Sequence, residues 1–195
     1  MLNRGKGIIN QNFTKFAFTK SVKAAQEQYG SRKSYARMEE SGDRYILTEQ
    51  ESSFIASRDS FYMATVGENG WPYVQYKGGP KGFLMILDDT TLGIADFRGN
   101  QQYISVGNIN SSRKASLFLI DYPSKRRLKI WAEAEVLETN EYPELSAKLS
   151  LPDYEEVIER LIVFKVQAYD WNCPEYITPR FTEEEIKQFF DTQDL

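Results

Sequence analysis

The sequence predicts a mainly β (α+β) protein in which six or seven antiparallel strands close a small barrel with helices at its periphery. Strand-like runs dominate residues 61–136, and short polar connections separate them. Residues 114–121 are apolar on both faces (Leu117, Phe118, Leu119, Ile120), as a central strand requires. In the next run Leu128, Ile130, Ala132, Ala134 and Val136 alternate with polar residues, so one face is buried. A chain of 195 residues without repeats or low-complexity linkers reads as one domain, 1–195, large enough to bury a core.

In chain order, residues 1–17 read as a flexible or loosely packed start. A helix is predicted over 19–29, capped by Thr19 or Ser21 and stopped by Gly30. The charged stretch 32–43 reads as a loop. Thr48 and Glu51 form a capping box for a second helix, to about Ser57, that turns Phe54 and Ile55 inward. Strands at 61–66 and 71–76 flank Gly67-Glu68-Asn69-Gly70, a hairpin signal because Asn-Gly tolerates positive φ. Strands at 83–87 and 91–95 flank a turn at Asp88-Asp89-Thr90, and Ile162, Phe164, Val166 and Ala168 mark one further strand. Helical patterns occupy 100–109, 140–149 and 153–160, and a second capping box, Thr182 with Glu185, opens a helix to about Asp191.

Composition excludes several chemistries. The chain has no histidine and a single cysteine, Cys173. Ser-His triads, histidine general bases, histidine-ligated metals and Cys₄ clusters are therefore closed to one subunit. A cofactor that brings its own reactivity is expected, with no bound metal. The net charge of −4 argues against nucleic acid or anionic lipid as partner. No apolar run reaches membrane-span length, and the start lacks the apolar core of a secretory signal, so a cytoplasmic location is expected.

Two Gly-containing connections carry the candidate chemistry, Gln75-Tyr76-Lys77-Gly78-Gly79-Pro80-Lys81-Gly82 and Asp96-Phe97-Arg98-Gly99-Asn100-Gln101-Gln102. The second leaves a strand and enters a predicted helix, the geometry that presents backbone N–H groups to a phosphate. Arg98 offers a planar donor fork, Gly99 permits close approach, and Asn100 and Gln101 add neutral donors. The ordinary alternative is a helix entry capped by Asn100 with Arg98 solvated.

Phe61-Tyr62-Met63-Ala64-Thr65-Val66, Gly70-Trp71-Pro72-Tyr73-Val74-Gln75, Gly78-Gly79-Pro80 and Asp96-Phe97-Arg98-Gly99-Asn100 together resemble the pyridoxamine 5'-phosphate oxidase-related FMN-binding split barrels. Asp170-Trp171-Asn172-Cys173-Pro174 and Pro179-Arg180-Phe181 resemble the C-terminal signature of a bacterial branch of that family. The resemblance spans about residues 18–186. It implies a split barrel, FMN as cofactor, and a homodimer with FMN at the subunit interface. It also implies that Gln75, Tyr76, Lys77 (in preference to Lys81), Arg98, Gly99, Asn100 and Gln101 meet the phosphate or ring. Arg127 or Lys129 would reach the pyrimidine side of a flavin, and Trp171 and Arg180 would wall the pocket across the interface. Each has a structural alternative: solvated lysines, a basic turn, or a tryptophan that anchors a loop to the core.

The resemblance supports the cofactor better than the reaction. Oxidation of pyridoxamine or pyridoxine phosphate uses basic and histidine side chains for a second phosphate, and histidine is absent here. An FMN-dependent oxidoreductase acting on another substrate, with its catalytic residues unassigned, is the leading expectation. A flavin carrier or sensor without turnover is the alternative.

Overall fold

The computed structural model describes residues 12–42, 44–151 and 158–191. Seven strands form one fully antiparallel sheet: β1 (Ser60–Val66), β2 (Pro72–Gly78), β3 (Met85–Asp88), β4 (Thr91–Phe97), β5 (Lys114–Asp121), β6 (Arg126–Leu137) and β7 (Ile158–Asn172). Their order is β2-β1-β5-β6-β7-β4-β3. The order ends at β2 and β3, which do not pair with each other, so the barrel is split, as the family resemblance implied. The sheet curls until β2 meets β4 through an ion pair between Lys77 and Asp96.

The inward face holds the core. Phe61, Met63, Leu92, Ile94, Leu117, Leu119, Leu128, Ile130, Ile162 and Phe164 are all buried, the alternation expected of strands with one apolar face. The β1–β2 hairpin closes at Gly67–Gly70, where Gly70 takes φ +82° and the Gly67 N–H donates to the Trp71 carbonyl.

The helix α2 (Lys20–Gln28) follows Thr19, whose side chain accepts from the Val22 N–H, and Gly30 stops it at φ +78°. The helix α4 (Glu49–Ala56) carries the expected capping box of Thr48 and Glu51. Thr182 and Glu185 likewise open α7 (Glu183–Asp191).

Several expectations change. Residues 12–17 are anchored rather than loose: α1 (Thr14–Ala17) follows Phe13, which is buried and stacks on Trp131 at 5.6 Å between centroids. Residues 32–39, read as loop, form α3 (Arg32–Glu39). Its charges explain the change, since Glu39 pairs with both Arg32 (2.6 Å) and Lys23 (3.1 Å), and the Asn12 amide donates to the Met38 carbonyl. Asp96 and Phe97, read as turn, complete β4. The helix predicted over 100–109 is α5 (Ile104–Ser112), because Gln101 (φ 59°) and Tyr103 (φ 52°) hold the preceding residues in left-handed turns. The predicted helix at 140–149 shortens to α6 (Pro143–Leu149). Most of the helix predicted over 153–160 lies outside the described residues, and Ile158–Arg160 begin β7.

One ionisable group joins the C-terminal strand to the helical layer. Glu51 accepts from the Thr48 hydroxyl and N–H and from the Trp171 indole N–H at 2.7 Å. Burial alone would raise its pKa, but these hydrogen bonds outweigh burial and hold it below the ordinary 4.5. A carboxyl depressed in the folded state contributes stability that is complete above the unfolded pKa and lost as pH falls through the folded one. Thermal melts should therefore show the wild type more stable than Glu51→Gln at neutral pH, with the gap narrowing below pH 4.5. A constant gap across that range would remove Glu51 as the titrating group.

Candidate functional site

A polar groove runs between the inward side of β2 and the segment 97–108. Alternation along β2 points Tyr73, Gln75 and Lys77 the same way. With Asp96, the 99–106 segment, Glu159 and Arg160, they line a pocket of about 250 Å³.

The loop between β4 and α5 is built by turn chemistry. The Asn100 carboxamide accepts from the Gln102 N–H at 3.2 Å, so it caps a turn and not the helix. No side chain caps α5, and its first bond within the helix runs from the Gly107 N–H to the Tyr103 carbonyl. The N–H groups of Ile104, Ser105 and Val106 therefore lack helical acceptors, and these residues line the pocket. Ser105, buried in the first turn, donates its hydroxyl to Gln75 Oε1 at 2.9 Å.

Charge in the pocket is locked in pairs. Asp96 accepts from Lys77 Nζ at 2.5 Å and from Arg160 Nη1 at 3.1 Å. Arg160 also pairs with Glu159 at 2.9 Å and stacks over the Tyr103 ring, 4.8 Å from its centroid. Tyr103 donates its hydroxyl to Glu159 at 2.9 Å. That bond, with the nearby guanidinium groups, holds Glu159 below its ordinary pKa. Burial opposes the charge on Arg160, but pairing with Asp96 and Glu159 prevails and raises it. Neither group is poised to exchange a proton near neutral pH. Lys77 and Arg160 against Asp96 and Glu159 sum to zero, so Arg98, exposed at the rim, is the local surplus of positive charge.

The two Gly-containing connections differ in what they present. Arg98 and Gly99 line a shallower pocket with Gln75, Tyr76 and Lys77 on the other side of the loop. Gln75, Lys77, Gly99, Asn100 and Gln101 thus come together as the sequence indicated, with Arg98 and Tyr76 beside them. The Gly78–Gly82 loop turns away from the groove. A Cβ on Gly79 would stand 2.8 Å from Phe83 Cγ, and the Gly82 N–H donates to the Arg58 carbonyl. Lys81 is exposed and lines none of these pockets.

The four remaining candidates lie elsewhere in the protomer. Trp171 is eleven residues along β7 from Arg160; it packs edge-on against Phe54 (4.8 Å), with Arg126 over its ring at 4.5 Å. Arg127 donates to the Cys173 carbonyl at 2.6 Å, and its buried Nε has no acceptor among the described residues. Lys129 stands 3.8 Å from Asp170, whose pKa is raised by burial despite Lys129 and Arg44. Arg180 stacks over Tyr122 at 5.0 Å.

Sequence reasoning missed Asp96, Tyr103, Ser105, Glu159 and Arg160 as site residues. Asp96 opens the second Gly-containing connection and Tyr103 follows its last residue, but Glu159 and Arg160 reach the groove only because β7 pairs with β4, Arg160 facing Asp96 in register.

An antiparallel split barrel with a polar groove between its split edge and a helix N-terminus defines the class of protein. The sequence model for pyridoxamine 5'-phosphate oxidase matches residues 47–171, more than half of the chain. The chain belongs to that family.

Solved structures agree on the fold. HupZ of Group A Streptococcus superposes with a TM-score of 0.53 at 17% identity, covering 70% of this chain and all of that one. A candidate pyridoxamine 5'-phosphate oxidase from Lactobacillus delbrueckii gives 0.51 at 24% identity, over 65% of this chain and 94% of that one. A protein from Syntrophomonas wolfei, described as FMN-binding, gives 0.50 at 19% identity, over 75% and 97%. No curated protein matches significantly. No helix among the described residues is long and apolar enough to cross a membrane.

Proposed function

We propose that this protein binds FMN and works as an FMN-dependent oxidoreductase on a small-molecule substrate. The observation that carries the proposal is the convergence of Gln75, Ser105, Gly99–Gln101 and the uncapped start of α5 on one pocket, with Arg98 lining a neighbouring pocket that shares Gln75, Lys77 and Gly99 with it. These donors suit a phosphate monoester: backbone N–H groups and the Gln75 carboxamide N–H₂, whose oxygen the Ser105 hydroxyl holds, within the pocket, and the Arg98 guanidinium beside it. Bound flavin would supply reversible two-electron chemistry. The chain's part is to seat the phosphate, exclude water and hold Lys77 and Arg160 in place through Asp96.

Two copies complete the proposed site. The outward face of the sheet is covered over β6 by the N-terminal helices, through Phe13 on Trp131. Its other half is bare: Tyr62, Val66, Val74 and Tyr76 are exposed large apolar residues. Register puts Tyr76, Tyr62, Phe118 and Lys129 in one row across β2, β1, β5 and β6. A second copy on the bare half would bring its own Lys129 and Arg127 beside this protomer.

The locked charges of the groove also suit a flavin carrier without turnover, since no acid or base is poised there. The deciding experiment supplements purified protein with FMN, desalts it, records the visible spectrum and identifies the released cofactor by mass. Stoichiometric FMN that is reduced by NADH or NADPH and cycles repeatedly establishes the enzyme. FMN that never cycles establishes the carrier, and no chromophore removes both. Arg98→Ala should weaken FMN binding roughly 10-fold or more, the scale of one charge-assisted hydrogen bond. Unchanged affinity in a folded variant would move the phosphate elsewhere.

A further inference from the structure

Two consecutive residues of β7, Glu159 and Arg160, line the groove pocket together. In a regular strand they would point to opposite faces of the sheet. Asp96 of β4 pairs with Arg160 and the next residue, Phe97, pairs with Ile158, so Glu159 is one extra residue with no partner on β4. The bulge made by this insertion accounts for Glu159 joining Arg160 in one pocket, as bulges re-aim side chains beside binding sites.

Arg160 has a carboxylate without it. Asp96 accepts from Arg160 at 3.1 Å and is itself buried. Glu159 is nonetheless fixed in the pocket wall: Tyr103 donates its hydroxyl to Oε1 at 2.9 Å, and Arg160 Nη2 stands 2.9 Å from Oε2. The Tyr103 hydroxyl and the guanidinium groups of Arg160 and Arg98 keep it ionised at neutral pH. A pocket built from anion-binding donors thus carries one carboxylate beyond the one that neutralises Lys77 or Arg160.

We propose that Glu159 is a specificity-determining residue, a fixed negative charge that admits a ligand with one phosphate group and rejects one with a pyrophosphate. With Glu159 the charged residues that line the pocket sum to zero, and Arg98 beside it is the only surplus cation. The start of α5, the Gln75 carboxamide and Arg98 together match a single phosphate. A second phosphate adds negative charge against the same carboxylate and meets no further cation among the described residues of the site. Like-charge repulsion of this kind discriminates by penalising the wrong ligand. This role for Glu159 rests on the phosphate reading of the pocket.

Inorganic phosphate and pyrophosphate, titrated by calorimetry at fixed ionic strength without flavin, read the filter directly. Wild type should bind pyrophosphate no more tightly than phosphate. The gain from removing one fixed charge scales with ligand charge, and pyrophosphate carries about twice that of phosphate at neutral pH. Glu159→Gln, which keeps the length and an acceptor for Tyr103, should tighten phosphate roughly 5-fold and pyrophosphate roughly 25-fold. Glu159→Asp keeps the charge and should keep the wild-type ratio of the two affinities. Tyr103→Phe removes a hydrogen bond to Glu159 but no charge, so it should move both affinities together. A carboxylate that only braces the loop would also move both together in Glu159→Gln. An unshifted ratio in that variant, with phosphate bound by wild type, overturns the filter and leaves the phosphate pocket standing. Binding of neither anion by wild type or variants overturns both.

Discussion

Asp96→Ala is expected to lower the melting temperature by roughly 10 °C, the largest single effect in the barrel. Asp96 is 6% exposed and holds Lys77 and Arg160, which pack around it from β2 and β7. Its removal leaves two poorly solvated cations sharing one cavity, with only Glu159 left to pair with Arg160. Breaking one side of a buried ion pair costs about 3–5 kcal/mol, because the remaining charge keeps its desolvation penalty without its partner. The same carboxylate joins the two sides of the split, so FMN retention should fall with stability. Asp96→Asn retains the shape and one acceptor and should lose less. Calorimetric melts of the two variants check this order, and an Asp96→Ala melt within 2–3 °C of wild type would mean that water reaches the triad freely.

Val74→Asp is expected to leave the protomer folded and separate the proposed dimer. Val74 is 59% exposed and lies opposite Ala64 on the bare outward face. A carboxylate there faces solvent in the monomer, where a surface substitution changes stability by no more than about 0.5 kcal/mol. In a symmetric interface the same residue meets its partner's copy or an apolar neighbour, and each copy must be desolvated. A loss of about 3 kcal/mol, or roughly 100-fold in dimer dissociation constant, follows for a central apolar contact. Sedimentation should then report monomers for the variant and dimers for the wild type, as the proposed interface requires, and bound FMN should be lost with the interface. A Val74→Asp protein that still sediments as a dimer places the interface on another surface.

The parts of this protein legible in its sequence are those written in local chemistry. The capping boxes at Thr48 and Thr182, the Gly30 stop and the Gly67–Gly70 hairpin each involve residues within one turn of one another. The inward faces of β6 and β7 followed from a period of two, whereas β5, read as apolar on both faces, buries Leu117 and Leu119 on one. The misread elements have non-local causes. Residues 32–39 look like a charged loop until Glu39 meets Arg32 and Lys23, and Phe13 looks loose until Trp131 is beneath it.

The candidate site divides the same way. Gln75, Lys77, Arg98, Gly99, Asn100 and Gln101 could be named because they cluster in two short connections, and the fold does bring them to neighbouring pockets. That Lys77 would be neutralised by Asp96, that Arg160 would arrive from the far end of the chain, and that a bulge would bring Glu159 in beside it could not be read.

By itself, the sequence determined a histidine-free antiparallel barrel of the pyridoxamine 5'-phosphate oxidase family, since composition and alternation survive any arrangement of the chain. Only the tertiary structure decided which charges cancel and which half of the sheet is bare. Those depend on strand order and register, and a shift of one residue in either β4–β7 or β1–β2 would turn every side chain involved to the opposite face.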